Sequence, residues 1–229
     1  MAFTFLAAQG YAVGNSLVDN EKLDYCKEML QKAVSASVVD SFDMISVDGD
    51  TSTNDMLSIM ANGAANNPEI NAEGEDFDQF KAALYDVCEA ASRAMAKDGE
   101  GATKLLTAQV VNAPDVPTAK SAAKSIITSS LFKAAMYGKD ANWGRILCAL
   151  GYCDAEFDIT KVDVALASTA GTINVCKDGA GCGFDEDEAL KILSEDEIII
   201  AVDMKQGDAQ ATAWGCDLTY DYVKINSYW

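Results

Sequence analysis

Segments with helical and strand periodicity interleave along the whole chain, and that interleaving limits the possible folds more than any single motif does. "EKLDYCKEMLQKAV" from Glu21 sets Leu23, Cys26, Leu30 and Ala33 on one stripe, the spacing of an amphipathic helix. "FDMISV" follows as a short strand. The strongest helical pattern is "DFDQFKAALYDVCEAASRAMAKDG", where Phe80, Ala83, Leu84, Val87, Ala90 and Ala91 share a face, Asp76 reads as the N-cap and Gly99 as the stop. "KLLTAQVV" then reads as a strand, and "TAKSAAKSIITSSLFKAAMYG" as a helix rich in small residues. "NWGRILCALG" opens another helix at Asn142. "VDVALAS" and "GTINVC" read as paired strands, "DEDEALKIL" as a short helix with acids in its first turn, and "EIIIAVDM" as a buried strand. After the "KQGDAQ" turn, "GCDLTYDYVKIN" alternates, with Cys216, Leu218, Tyr220 and Tyr222 on one side, which predicts an antiparallel hairpin at the end. The pattern is that of an α/β (α+β) layered domain. "NAPDVPT" holds Pro114 and Pro117 and marks the best junction, dividing 1–113 from 114–229.

Composition narrows the function classes. The 229 residues are 49% hydrophobic, enough for a substantial core. No apolar run reaches the roughly 18 residues that span a bilayer, and "MAFTFLAA" lacks the basic start of a signal peptide. Residues 1–117 carry 19 acids against 7 bases and residues 118–229 carry 17 against 10, so the net charge of −19 is spread over the whole surface. That argues against nucleic acid or an anionic membrane as partner. Seven cysteines without a CxxC pair, and no histidine, offer no metal-ligand set and read as reduced thiols. Without histidine, acid–base work falls to a carboxylate, a lysine, water or a terminal amine.

Four motifs combine residue types that can carry chemistry. "VDGDTSTND" (47–55) offers Asp48, Asp50 and Ser52 at the first three ligand positions of a calcium loop, but Thr53 stands where glycine is needed and Ile59 where a bidentate glutamate is needed. Its three aspartates also oppose phosphate, so it reads as a polar turn whose side chains satisfy their own backbone. "DGAGCGFDEDE" has GxGxG spacing followed by four acids, which would repel a pyrophosphate, and reads as a flexible turn. "DGEGATK" (98–104) brackets Glu100 with two glycines between a helix and a strand, where a carboxylate can hold an ammonium group or simply follow a helix C-cap. "KDANWGRI" places Trp143 at a helix start, the position of a core or interface aromatic.

"VDGDTSTND", "DGEGATK", "YGKDANWGRILCALGY" and "ATAWGCDLTYDYVKIN", in that order, resemble the glutamate N-acetyltransferase (ornithine acetyltransferase) family of arginine biosynthesis. The resemblance runs from Phe5 to Asn226, with segments 11–40 and 61–75 fitting less closely. It implies a precursor that cleaves itself between an alanine and a threonine, with this chain resembling the downstream β part and an α chain from the same precursor as partner in an αβ hetero-oligomer. It implies an acyltransferase whose first-residue threonine attacks through its hydroxyl, with its α-amine as base, moving acetyl from N-acetylornithine to glutamate in a ping-pong cycle. The implied fold is a layered sandwich similar to that of N-terminal-nucleophile aminopeptidases, with the oxyanion hole in the α chain. No cofactor is implied, although acetyl-coenzyme A is a possible alternative acetyl donor. Glu100 and Asn226 match the family's substrate-binding glutamate and asparagine. The compartment implied is the cytoplasm, or the mitochondrial matrix for a fungal member.

Two departures accompany the resemblance. Met1 stands at or next to the place of the nucleophilic threonine, and Thr4 is internal and lacks a free amine. The chain ends at Trp229, where the family runs on to a substrate-touching threonine. These leave open a non-catalytic homologue or fragment that binds an amino-acid ligand, and a peptidase of similar fold.

Overall fold

The computed structural model describes residues 20–52, 54–61 and 67–227, with side chains from Lys27 onward. Met1, Thr4, Thr53, Trp229 and the side chains of Leu23 and Cys26 lie outside the described residues. Two compact units form, Met1–Asp43 with Thr51–Ala91, and Met44–Asp50 with Ser92–Trp229. The sequence junction at 113/114 falls inside the second unit.

The first unit contains α1 (Asn20–Val39) and α2 (Glu75–Lys97) up to Ala91. Its core is Met29, Ala33, Ile70, Phe77 and Phe80, with Leu30, Ile59 and Leu84 packed against them. Of the predicted stripes, Ala33 and Phe80 are buried, Leu30, Ala83, Leu84, Val87 and Ala91 are half-buried, and Ala90 is exposed, so the helices form as expected but bury only part of those faces. Helix α2 begins at Glu75, so Asp76 sits in the first turn instead of capping it. There, beside Glu75 and Asp78, its charge faces the positive end of the helix dipole.

The second unit is built on one mixed sheet: β1 (Ile45–Ser46), β2 (Leu105–Ala113), β3 (Asp163–Ser168), β4 (Gly171–Lys177), β5 (Ala180–Gly181), β6 (Glu197–Asp203) and β7 (Ala209–Cys216), in the order β1-β7-β2-β6-β3-β4-β5. In β6, Ile198, Ile200 and Val202 are buried while their neighbours are only partly so, the period of two expected of a sheet strand. Its helices are α3 (Val116–Thr128), α4 (Ser130–Tyr137), α5 (Trp143–Gly151), α6 (Glu186–Ile192) and α7 (Tyr220–Asn226). α3 packs along β7, β2 and β1, and α6 packs on β3 and β4. Leu106, Val110, Ile126, Phe132, Ile200 and Trp214 lie in the shared core. The chain is therefore mixed α/β, as its interleaved periodicities predict.

The expected C-terminal hairpin does not form. β6 and β7 flank β2: β6 pairs with it in parallel and β7 antiparallel, so β2 separates them. The "KQGDAQ" turn crosses the end of β2, where Val111 O accepts from Met204 N–H and Asn112 O from Gln206 N–H. Gly207 allows the crossing, because a Cβ there would lie 2.2 Å from Ala113 O. The second half of the expected hairpin strand is helix α7, since Thr219 caps it by accepting from Tyr222 N–H at 3.2 Å.

The run "TAKSAAKSIITSSLFKAAMYG" is two helices. Ser129 is extended (φ −69°, ψ 107°), donates its N–H to Ile126 O and accepts from Phe132 N–H, ending α3 and starting α4. α5 starts where predicted, one residue after Asn142, which caps it by accepting from Arg145 N–H. The hairpin β3–β4 forms as expected. The GxGxG segment is more constrained than a flexible turn: Gly181 lies under Trp143, whose ring a Cβ would meet at 2.3 Å.

Candidate functional site

The two residues singled out by resemblance meet in the second unit. α2 ends at Lys97, and the loop that follows presents Glu100 to solvent before β2 begins. Gly101 has φ +68°, and a Cβ on it would lie 2.6 Å from Tyr222 N. The glycine therefore permits the start of α7 to rest directly on this loop. Asn226, at the far end of α7, donates from Nδ2 to Glu100 Oε2 at 2.7 Å and to Tyr222 O at 3.1 Å.

Two polar residues stitch these segments together. Asp217, only 3% exposed, accepts from Thr103 N–H at 2.8 Å, from the Thr103 hydroxyl and from Lys104 N–H at 2.9 Å. Thr219 donates its hydroxyl to Gly101 O at 2.7 Å while capping α7. A buried carboxylate with three donors is a charge-assisted anchor, so the end of β7 and the start of β2 are tied beside the site.

The third wall is the "VDGDTSTND" segment. It behaves locally as a polar turn: Ser46 Oγ accepts from Gly49 N–H and Asp48 Oδ1 from Asp50 N–H, while Ser52 Oγ accepts from Asn54 N–H. Asp48 does more than serve its own backbone, however. Its other oxygen accepts from the Tyr222 hydroxyl at 3.0 Å. Burial pushes the Tyr222 phenol up to about 12, reinforced by the Asp48 hydrogen bond and by the negative charges of Asp48, Glu100 and Asp50.

Lys133 stands behind this wall. It is 2% exposed, on the apolar helix α4, and donates to Val47 O. Its Nζ lies 4.0 Å from Cys216 Sγ. Burial lowers the Lys133 ammonium and raises the Cys216 thiol. Sequence reasoning passed over Lys133, Asp217 and Tyr222. The one available signal was a lysine set among Phe132, Ala135 and Met136 in an otherwise apolar run.

The Asn226 amide spends its two hydrogens on Glu100 and Tyr222 O, so its Oδ1 and the second Glu100 oxygen remain as acceptors. Such a pair suits a ligand that donates, such as an ammonium group. Among the described residues, no group of three or more Asp, Glu or Cys side chains is placed to hold a metal ion. Nor is any described helix long and apolar enough to cross a membrane.

Residues 22–229 match the model of the ArgJ family. The chain belongs to the ArgJ family. Among its relatives, "Arginine biosynthesis bifunctional protein ArgJ 1" of Clostridium acetobutylicum is 55% identical over 87% of this chain and 49% of its own length. The ArgJ of Caldanaerobacter subterraneus subsp. tengcongensis is 52% identical over 87% of this chain and 50% of its own length. The chain thus spans about half the length of the curated relatives it matches. The ArgJ-family fold is also seen in the crystal structure of the arginine biosynthesis bifunctional protein ArgJ from Bacillus halodurans. That chain superposes with a TM-score of 0.84 at 42% identity, over 95% of this chain and 97% of the solved one.

Proposed function

We propose that this chain is the β part of an acetyltransferase of arginine biosynthesis, which moves acetyl from N-acetylornithine to glutamate. Family membership and the arginine-biosynthesis names of its relatives support the pathway. A solved ArgJ chain of nearly the same extent supports a separate polypeptide for this half of the family's length. The observation that carries the site is the Asn226–Glu100 hydrogen bond, which joins two residues 126 positions apart into one acceptor-rich surface.

In this reading a threonine from the Ala–Thr cleavage of the precursor is the nucleophile. Its hydroxyl attacks the acetyl carbonyl, its α-amine takes the proton, and ornithine leaves as the acyl-enzyme forms. Glutamate then takes the acetyl group and restores the hydroxyl. Glu100 receives the ornithine ammonium, and Asn226 holds the Glu100 carboxylate in place. The α part supplies the oxyanion hole, and the cytoplasm is the compartment.

The test is a precursor with the upstream segment and an intact Ala–Thr junction. Loss of N-acetylornithine should match formation of N-acetylglutamate, and Glu100→Gln should raise KM for N-acetylornithine. A cleaved precursor that transfers no acetyl group would overturn the assignment. Replacing N-acetylornithine with acetyl-coenzyme A tests the alternative donor.

A further inference from the structure

Helix α7 carries Asn226 but has little apolar packing to hold it. None of its seven residues is buried; Tyr222 is half-buried, and Tyr220, Val223 and Ile225 are exposed. A helix this short is not stable by itself, so its attachments decide where it lies. Its start is held by the Thr219 hydroxyl, which donates to Gly101 O, and by the edge contact of Tyr220 with Tyr137. Attachments confined to the first turn leave the far end of a short helix free to swing. Tyr222 supplies a further point through its hydroxyl on Asp48. Tyr222 and Asn226 are four residues apart and so share a helical face, and the Asn226 amide also donates to Tyr222 O. Fixing Tyr222 therefore fixes the direction in which Asn226 points.

Asp48 is itself held. β1 pairs with β7 through Ile45–Trp214 and Ser46–Gly215. Lys133 donates to Val47 O, immediately before Asp48. Asp48 Oδ1 accepts from Asp50 N–H, which leaves Oδ2 directed at Tyr222.

We propose that Asp48 and Tyr222 are positioning residues, whose hydrogen bond sets the rotation of α7 and so holds Asn226 against Glu100. The assignment rests on the substrate-binding reading of that pair for its kinetic consequence and on geometry alone for its structural one. It gives the "VDGDTSTND" segment a role that a self-satisfied turn does not have.

Four variants test it in the same cleaved protein: Tyr222→Phe, Asp48→Ala, the double variant, and Asp48→Asn. Tyr222→Phe removes only the hydroxyl. It should raise KM for N-acetylornithine about tenfold with a smaller change in kcat, as expected when one charge-assisted hydrogen bond is lost. Asp48→Ala should do the same, and the double variant should be no worse than either single change. Asp48→Asn should restore near-normal KM, because its amide oxygen can accept from Asp50 N–H while its amide hydrogen bonds the tyrosine oxygen. A Tyr222→Phe protein with unchanged KM, or single effects that multiply in the double variant, would overturn the tether.

Hydrogen exchange supplies an arm that needs no activity. In Tyr222→Phe the amides of residues 223–226 should exchange about tenfold faster, while those of β2 and β7 keep their protection. Unchanged exchange in α7 would sink the proposal even in an active enzyme. Faster exchange confined to α7 would support it even if the unmodified protein transferred no acetyl group, an outcome that refutes only the function assigned to the site.

Discussion

Gly101 is where the chemistry of the site depends on backbone shape. At φ +68°, with Tyr222 N and the Asp221 carbonyl carbon 2.6 and 2.8 Å from where a Cβ would sit, it has neither a relaxed conformation nor space for a side chain. Gly101→Ala should therefore destabilise the protein by about 1–3 kcal/mol, the usual cost of overpacking. Urea unfolding measures that loss, and a rise in KM for N-acetylornithine would show α7 displaced. Tyr222 offers a second residue-scale test. Its phenol is pushed up to about 12 by burial first and then by Asp48, so the folded state favours the protonated form. A raised value means that this contribution to stability is complete below about pH 10, the ordinary tyrosine range, and is lost as pH rises through about 12. Phenolate absorbance should therefore show a late-titrating tyrosine in the native protein that Tyr222→Phe abolishes. A late phase unchanged by the substitution would mean that Tyr222 is not the shifted group.

At the scale of elements, the helices with long apolar stripes and the β3–β4 hairpin were legible because their signals are local. The errors arose where two local signals overlapped. Cys216, Leu218, Tyr220 and Tyr222 alternate like a strand, yet the strand ends at Cys216 and Tyr220 starts a helix. Thr219, three residues before Tyr222 and followed by Asp221, carried the competing signal of an N-cap with an acid in the first turn. The same chemistry divides α3 from α4. The small residues around Ser129 continue a helical pattern, but the serine turns its hydroxyl to Phe132 N–H at 3.4 Å and its backbone leaves the helix. Ser129→Ala should cost about 1 kcal/mol, the usual value of a lost N-cap. The measurement is a denaturant midpoint with an unchanged slope. A gain in stability together with increased helical circular dichroism would instead mean that α3 and α4 had fused.

At the scale of the whole chain, the order of the sheet follows from pairings that no local pattern encodes. β2 precedes β6 and β7 by about a hundred residues in sequence, yet lies between them. The same long-range closure brings Asn226 to Glu100 and Tyr222 to Asp48. Each glycine, cap and carboxylate had a readable local meaning, but its partner did not. Net charge is the whole-molecule property that sequence states outright, and it has a consequence for stability. Thirty-six acids face 17 bases, and among the described residues ion pairs such as Lys81–Asp78 and Lys97–Glu197 lie between exposed groups. Pairs of that kind contribute roughly 0–1 kcal/mol each. Repulsion among the excess acids acts over a longer range and opposes the compact state. Raising ionic strength from about 0.01 M to 0.15 M shortens the screening length from about 30 Å to about 8 Å, which weakens repulsion between distant charges more than attraction within close pairs. Sodium chloride over that range should therefore raise the melting temperature, by about 2–4 °C for each kcal/mol of repulsion relieved in a chain of this size. Thermal unfolding followed by circular dichroism measures it. A melting temperature that falls with salt would mean that the paired charges, and not the excess acids, dominate the electrostatics of the fold.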